Sequence, residues 1–238
     1  MVTNQTTDFS SLDFSSGEVI LIDKPIGWSS FKVVNKIRKT IGVKKVGHSG
    51  TLDPMASGLL IICTGKKTKD ISKFLGLDKT YTGIITLGKT SPSMDKETEI
   101  TENEISKEIN IERIKNAAKD FVGEIEQVPP MYSAIKINGK RLYKLARNGV
   151  EIERPARKVK INSFLIKNIK IPDIEFEVNC SKGTYIRVLA DDMGKKLNCG
   201  GILSELRRIA IGEFSIEKSL KVEDFVNKVK KNKDYSLQ

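Results

Sequence analysis

Histidine is almost absent from this chain: its 238 residues include one, His48. A site built on several imidazoles, whether a metal centre or a paired histidine acid and base, is therefore excluded. Cysteine is sparse as well. Cys63, Cys180 and Cys199 are odd in number, far apart and never spaced C-x-x-C, so neither a zinc site nor a thiol–disulfide motif is expected. No apolar run approaches the roughly 20 residues of a membrane helix. The opening MVTNQTTDFSSLDFSSG has neither the basic nor the apolar region of an export signal. A cytoplasmic protein in a reducing setting, with no membrane association, is the expectation.

Negative charge is also in short supply. Asp and Glu number 30 against 41 Lys and Arg, a formal net charge of +11. The imbalance is local: residues 1–23 hold Asp8, Asp13, Glu18 and Asp23 without a Lys or Arg, so they carry −4 and the rest of the chain +15. Excess lysine can simply solvate a surface, and charge alone does not separate nucleic acid from anionic lipid. A polyanionic partner is the reading that the charge favours.

Residues 1–17, rich in Ser, Thr and Asp with two isolated Phe, read as a loose, flexible tail. Val19 to Ile22 reads as a strand. Ser29 or Ser30 then caps a helix with the apolar face Phe31, Val34, Ile37 and Ile41, which Gly42 ends. Val46 to Pro54 is loop by composition, and Leu59 to Cys63 is a buried strand. A strand at Tyr81 to Leu87 precedes a polar loop from Lys89 to Asn103. Ile111, Ile114, Ala118 and Phe121 share a helical face that Gly123 ends. Residues 124–157, with a Pro-Pro turn, an Asn138-Gly139 hairpin signal and many basic side chains, form an inserted basic arm. Strands follow at Val159 to Ile166, Ile174 to Val178 and Arg207 to Phe214. Helices follow Tyr185 and cover Val222 to Lys231. Strands and helices without strict βαβ alternation predict an α+β fold.

Two motifs fail on inspection. Cys63-Thr-Gly-Lys-Lys-Thr superficially matches a phosphate loop, but six residues separate Gly58 from Gly65 where four are needed, and Lys67 stands where Ser or Thr would bind magnesium. Ser133-Ala-Ile-Lys136 has the S-x-x-K spacing of penicillin-binding enzymes without their S-D-N or K-T-G partners.

The informative stretch is Gly47-His48-Ser49-Gly50-Thr51-Leu52-Asp53-Pro54-Met55-Ala56-Ser57-Gly58. Its glycines allow close backbone approach, and Pro54 fixes the chain after the acid. On composition alone, an Asx-type turn at Asp53 is the favoured account.

The stretch resembles the signature loop of the TruB family of tRNA pseudouridine synthases, filling the pattern G-H-[ST]-G-x-L-D-P-x-A-x-G at every position. Further segments follow in the family's order: Leu21-Ile22-Asp23-Lys24-Pro25-x-Gly27-x-Ser29-Ser30, Lys79-x-Tyr81, Pro129 to Lys136, Gly183-Thr184-Tyr185-Ile186-Arg187-x-Leu189-Ala190-x-Asp192, and Leu206-Arg207-Arg208. Together they span residues 18 to about 215.

The resemblance implies a mixed, mainly antiparallel central sheet with flanking helices and a catalytic cleft. It implies isomerisation of a uridine in the tRNA T-arm, position 55 in tRNA numbering, to pseudouridine, without metal, nucleotide or organic cofactor. By that match Asp53 is the essential acid, Arg187 lies beside it, and Tyr81 stacks on the flipped uracil. His48 contacts RNA near the vacated stack, Tyr185 and Leu206 line the uracil pocket, and Lys24 with Pro25 supports the catalytic loop. Whether Asp53 attacks C1′ or removes the 2′ proton stays open. Basic residues from Lys136 to Arg157 are expected to clamp phosphates. The catalytic domain is placed at 18–215, with 216–238 a short basic helix or tail in place of a PUA-type module, and a monomer is expected. A non-catalytic RNA chaperone and a synthase acting on another RNA are the rival readings.

Overall fold

The computed structural model describes residues 1–133, 135–137 and 139–235; Ala134 of the Pro-Pro motif and the expected turn residue Asn138 lie outside the described residues. In chain order the strands are β1 (Val19–Lys24), β2 (Val46–His48), β3 (Ala56–Thr64), β4 (Lys79–Leu87), β5 (Lys89–Thr90), β6 (Thr101–Glu102), β7 (Gly123–Gln127), β8 (Lys136–Ile137), β9 (Lys140–Arg141), β10 (Arg157–Lys170), β11 (Asp173–Cys180), β12 (Gly201–Ile211), β13 (Phe214–Ser215) and β14 (Leu220–Lys221). The α-helices are α1 (Ser30–Ile41), α2 (Ile71–Gly76), α3 (Ile111–Lys119), α4 (Leu142–Arg147), α5 (Ile186–Lys196) and α6 (Val222–Tyr235). The fold is α+β, as expected, with a large, mainly antiparallel sheet. The chain divides into two compact units, residues 1–81 with 206–238, and residues 82–205.

In the first unit β1 pairs antiparallel with β3 from Val19↔Cys63 to Lys24↔Gly58. β14 runs parallel to β1, while β12 lies parallel to β3 at Leu206↔Ala56 to Arg208↔Gly58. Both faces of β1 and β3 are covered, which is why they read as unbroken apolar runs rather than alternating ones. Ile20, Ile22, Leu60 and Ile62 pack with Val33, Val34, Ile37 and Phe225 of α1 and α6. Val19, Leu21, Leu59 and Ile61 face the opposite way, against Ile211, Phe74 and Phe214.

Three expectations are corrected in this unit. Residues 1–17 are no loose tail: Val2 is wholly buried and bridges to Ile20, while Phe9 and Phe14 meet the Phe225 ring edge-on at 6.0 and 5.9 Å. The two isolated phenylalanines are the anchors, and polar composition hid them. The helix expected from Val222 is present as α6, but it is part of the core, burying Val222, Phe225, Val226 and Val229. Val46–His48, taken as loop, is β2 on β3; Gly47 there is a close-packing residue, since a Cβ would come within 2.6 Å of the Ile71 side chain.

Ser29 caps α1 by accepting from the Lys32 N–H at 3.1 Å, and Gly42 ends the helix at φ +74°. The buried face is Ser30, Val33, Val34 and Ile37, rotated from the expected stripe, and Phe31 is left 62% exposed. The rotation places the Ser30 hydroxyl inward, where it bonds both the N–H and the carbonyl of Leu52.

In the second unit β10 and β11 form a long hairpin, and β7 occupies the other edge of β10, from Arg157↔Gln127 to Ile161↔Gly123. The expected inserted arm at 124–157 is therefore partly sheet, because Gly123–Gln127 supplies a strand in which exposed glutamates alternate with half-buried or buried positions. The β8–β9 pair and α4 make up the rest of its regular structure. α3 buries Ile114, Ala117 and Ala118 but leaves Ile111 exposed, and it stops at Lys119, short of Gly123. Asp95, within the polar loop, forms a β-bridge with Leu203 of β12, which begins at Gly201 and not at Arg207.

Candidate active site

In the first unit the loop carrying Asp53 is fastened along its length. The Ser49 N–H donates to Ile61 O at 3.0 Å, the Gly27 N–H to Pro54 O at 2.8 Å, and the Ala56 N–H to Asp53 O at 3.0 Å. Ser30 Oγ accepts from the Leu52 N–H at 2.9 Å and donates to Leu52 O at 3.1 Å. From β12 the buried Arg208 sends Nε to Leu59 O at 2.8 Å and an Nη to Gly50 O at 3.1 Å. Gly58 has φ +112°, and a Cβ there would overlap the Arg208 backbone, so the β3–β12 pairing beside the loop requires glycine. Asp53 itself is half-buried.

Lys24, at the end of β1, has no exposed surface. Its ammonium donates to the carbonyls of Pro25 at 3.0 Å and Trp28 at 2.6 Å. Burial pulls its pKa down to about 8, Asp53 and Asp23 oppose the fall, and Arg208 adds to it. At neutral pH it is thus a buried cation in the electrostatic field of Asp53. Asp23 is gripped by the guanidinium of Arg207 at 2.7 and 3.2 Å. His48 is half-buried; burial, and then the Arg208 charge, lower its pKa against a hydrogen bond with the Gly50 backbone, which favours a neutral imidazole. Its Nδ1 has no hydrogen-bond partner among the described residues. Leu206 is paired opposite Ala56, at the loop's exit. Tyr81, 9% exposed, lies on β4.

In the second unit Arg187 stands in the first turn of α5, 4% exposed, and pairs with Asp95 Oδ2 at 3.3 Å. Asp95 is itself oriented: its Oδ1 accepts from the Glu97 N–H at 2.9 Å and its carbonyl from Ser91 Oγ at 2.6 Å. Tyr185, the residue before α5, is bracketed by the buried Gln127, whose Oε1 accepts from the Tyr185 N–H at 2.9 Å and whose Nε2 donates to its carbonyl at 3.2 Å. The Arg157 guanidinium lies 4.7 Å from the centre of the Tyr185 ring and donates to Gly183 O. No group of three or more His, Cys, Asp or Glu among the described residues could hold a metal ion, and no described helix is long and apolar enough to cross a membrane.

Sequence comparison decides the family. The model of the TruB family pseudouridylate synthase N-terminal domain matches residues 38–186, and that of the tRNA pseudouridylate synthase B C-terminal domain matches residues 187–238. The chain belongs to the TruB family. The tRNA pseudouridine synthase B of Flavobacterium johnsoniae is 48% identical over 217 residues, 88% of this chain and 95% of that protein. That of Chloroherpeton thalassium is 49% identical over 220 residues, 90% and 91% of the two chains. Among solved structures, a chain of a Cbf5–Nop10–Gar1 complex superposes with a TM-score of 0.70 at 30% identity, over 90% of this chain and 54% of that one. A chain of an archaeal box H/ACA Nop10–Cbf5 complex gives 0.70 at 26% identity, over 98% and 62%. This chain thus spans little more than half the length of those two.

The TruB signature loop therefore sits where the first unit gathers Lys24, His48, Asp53 and Leu206, while the second gathers Arg187 and Tyr185 at the start of α5. Asp95, Gln127 and Arg208 were not singled out from sequence. Arg208 lay within a matched stretch but had no assigned task. Of the arginines expected to clamp phosphates, Arg147 and Arg154 pair with Glu97 and Glu151, and Arg157 is engaged at Tyr185 and Gly183. Lys136, Lys140 and Lys144 of the same stretch are exposed.

Proposed function

We propose that this protein isomerises uridine to pseudouridine in tRNA, at position 55 of the T-arm, as a cytoplasmic monomer. The observation that carries the reading is Asp53 itself, a carboxylate held half-buried in a loop anchored at Gly27, Ser30 and Arg208, beside a buried lysine, in a chain of the TruB family.

The substrate and product contain the same atoms. The N-glycosidic bond breaks, the uracil turns, and a C–C bond forms between C1′ and C5 while the C5 proton moves to solvent and the freed ring nitrogen takes one up. Nothing is oxidised and no group is donated, so the chemistry calls for no cofactor. Asp53, acting as its carboxylate, either attacks C1′ or takes the 2′ proton, with precedent for the first in glycosidases that form a covalent sugar intermediate. Arg187 is the permanent cation serving the site, and Tyr81 the aromatic face for the extruded uracil. Extrusion costs a few kcal/mol, and one stacked ring returns about 1–3 kcal/mol, so a single platform roughly balances it. Leu206 shapes the uracil pocket. His48 meets the RNA where the base has left the stack, and the exposed lysines supply salt-sensitive affinity.

The test is pseudouridine mapping on an unmodified tRNA transcript, with no metal or nucleotide added, using the wild type and Asp53→Asn. Modification at the T-arm uridine by the wild type alone is expected. An Asp53→Asn protein with full activity would overturn the assignment of the acid, and tight binding without modification by the wild type would overturn the reaction.

A further inference from the structure

The two ends of Arg187 are placed by different means. Its guanidinium pairs with Asp95 at 3.3 Å, but its backbone lies in the first turn of α5. That helix starts without the usual devices: among the described residues the Tyr185 side chain makes no capping hydrogen bond, and the first turn carries no acid. A cation in a first turn also stands at the positive end of the helix dipole, which opposes it. The position of this helix start is therefore set from outside the helix.

It is set from β7 and β10. The connection from β11 to α5 is tied to that edge of the sheet at three successive points. The Ser181 N–H donates to Lys160 O at 2.8 Å, and Ser181 Oγ accepts from the Lys160 N–H at 2.9 Å. Arg157, further back along β10, donates to Gly183 O. Gln127, paired directly opposite Arg157, brackets Tyr185 with both ends of its carboxamide, accepting from its N–H at 2.9 Å and donating to its carbonyl at 3.2 Å. A primary amide presents one donor side and one acceptor side, so it does for the Tyr185 backbone what a neighbouring strand would do. Gln127 is 1% exposed, which shields both bonds from water.

The Tyr185 ring carries the constraint onward. The Arg157 guanidinium lies 4.7 Å from the ring centre and that of Arg187 lies 5.9 Å from the same centre, so both are within cation–π range of one ring. A displaced Tyr185 thus moves Arg187 through the chain and through the ring together.

Resting on the tRNA-isomerising reading above, we infer that Gln127 and Arg157 are positioning residues for the reaction: facing each other across β7 and β10, they clamp Tyr185 and Gly183 and so set where the first turn of α5 holds Arg187. Neither is a catalytic residue in this assignment; both act through Arg187. Misplacing a charge-bearing group by about 1 Å can cost about 100-fold in rate, so a clamp of this kind reaches the chemistry without touching it.

The experiment compares wild type with Gln127→Met, Arg157→Met and the double variant on an unmodified tRNA transcript. It reads the single-turnover rate at saturating RNA, Kd across a salt series, the urea midpoint, and hydrogen exchange of the peptide covering residues 183–189. Each single variant, assayed well below its unfolding transition, is expected to lose about ten- to 100-fold in rate, with Kd within about twofold of wild type and the salt slope unchanged. The Tyr185 amide, deprived of its acceptor in Gln127→Met, should exchange about tenfold faster. The double variant should fall within about threefold of the slower single variant, because both prongs serve one residue. Three outcomes overturn the clamp: a lowered urea midpoint with a rate within about twofold of wild type, which marks a purely structural role; for Arg157→Met, a raised Kd and a salt slope lower by about one with the rate unchanged, which marks a phosphate contact; and a double variant whose loss is the product of the two single losses. Arg157 is only half-buried, so its variant decides the matter even where Gln127→Met does not fold. Failure of the isomerase reading looks different: wild type then makes no pseudouridine, while the faster exchange at Tyr185 still reports the clamp.

Discussion

Arg187 and Asp95 form a buried ion pair, 3.3 Å apart, with both side chains at least nine-tenths covered. A buried guanidinium whose counter-charge is removed has no water to compensate it, so such pairs fix geometry more than they add stability. Asp95 is in turn held by the Glu97 N–H, which makes it the element that aims Arg187.

Asp95→Asn keeps the volume and removes the charge. It is expected to lower stability by about 2 kcal/mol, the scale of one hydrogen bond to a charged group. The fall in kcat should be about tenfold or more, since roughly 1.4 kcal/mol of misaimed charge suffices. KM for tRNA should change little, because affinity comes mainly from exposed cations. Steady-state kinetics alongside urea denaturation checks both; a rise in KM without a fall in kcat would make the pair a binding element instead.

Lys24 gives a pH signature. Its pKa falls to about 8 in the folded chain from an ordinary 10.5. Between those values the unfolded chain binds a proton that the folded one lacks, so this group makes stability rise with pH across that window. Below pH 8 both states are protonated and the burial penalty is fully present. Lys24→Met should remove that rise, so the stability of wild type minus that of the variant must be more positive at pH 9.5 than at pH 7.5. Urea midpoints at the two pH values supply the comparison, and an unchanged difference would mean that the amine is not perturbed by burial.

What could be read from sequence, and what could not, divides along a physical line. Lys24, His48 and Asp53 lie in contiguous motifs that match the family's pattern, so the resemblance singled them out together. Asp95 was not, because it sits in a polar stretch and its partner is 92 residues away. Gln127, 58 residues before Tyr185, escaped for the same reason. The N-terminal phenylalanines were missed because two apolar residues in a polar run carry no periodicity. Phe31 looked like core because an apolar residue next to a helix cap fits a helical stripe, whereas α1 turns its buried face to Ser30, Val33, Val34 and Ile37 and leaves Phe31 exposed.

The packed N-terminal segment is testable. Phe9 is 6% exposed and meets the Phe225 ring at 6.0 Å, and Lys228 Nζ donates to Thr6 O at 3.0 Å on the same segment. Phe9→Ala is expected to cost about 3 kcal/mol, the lower end of the range for deleting a buried aromatic. Because the site loop is fastened elsewhere, activity below the unfolding transition should hold. A loss under about 1 kcal/mol would show that the segment packs without contributing.

Tyr81 separates platform from proton acceptor. The side chain is 9% exposed on β4, so Tyr81→Ala opens a cavity and should cost about 3 kcal/mol along with turnover, which makes it a poor probe on its own. Tyr81→Phe keeps the ring and nearly all the volume. If the ring only stacks, Tyr81→Phe turns over like wild type. If the hydroxyl takes the C5 proton, the variant binds tRNA with unchanged affinity yet forms little pseudouridine, because the base turns and rebonds but cannot shed its proton. The second outcome is expected on the proposed function, since C5 must lose a proton after the new bond forms and that reading sets the Tyr81 ring against the uracil. Pseudouridine mapping on RNA recovered from a single-turnover reaction distinguishes the two, with a saturation binding curve on the same sample confirming that the RNA was held.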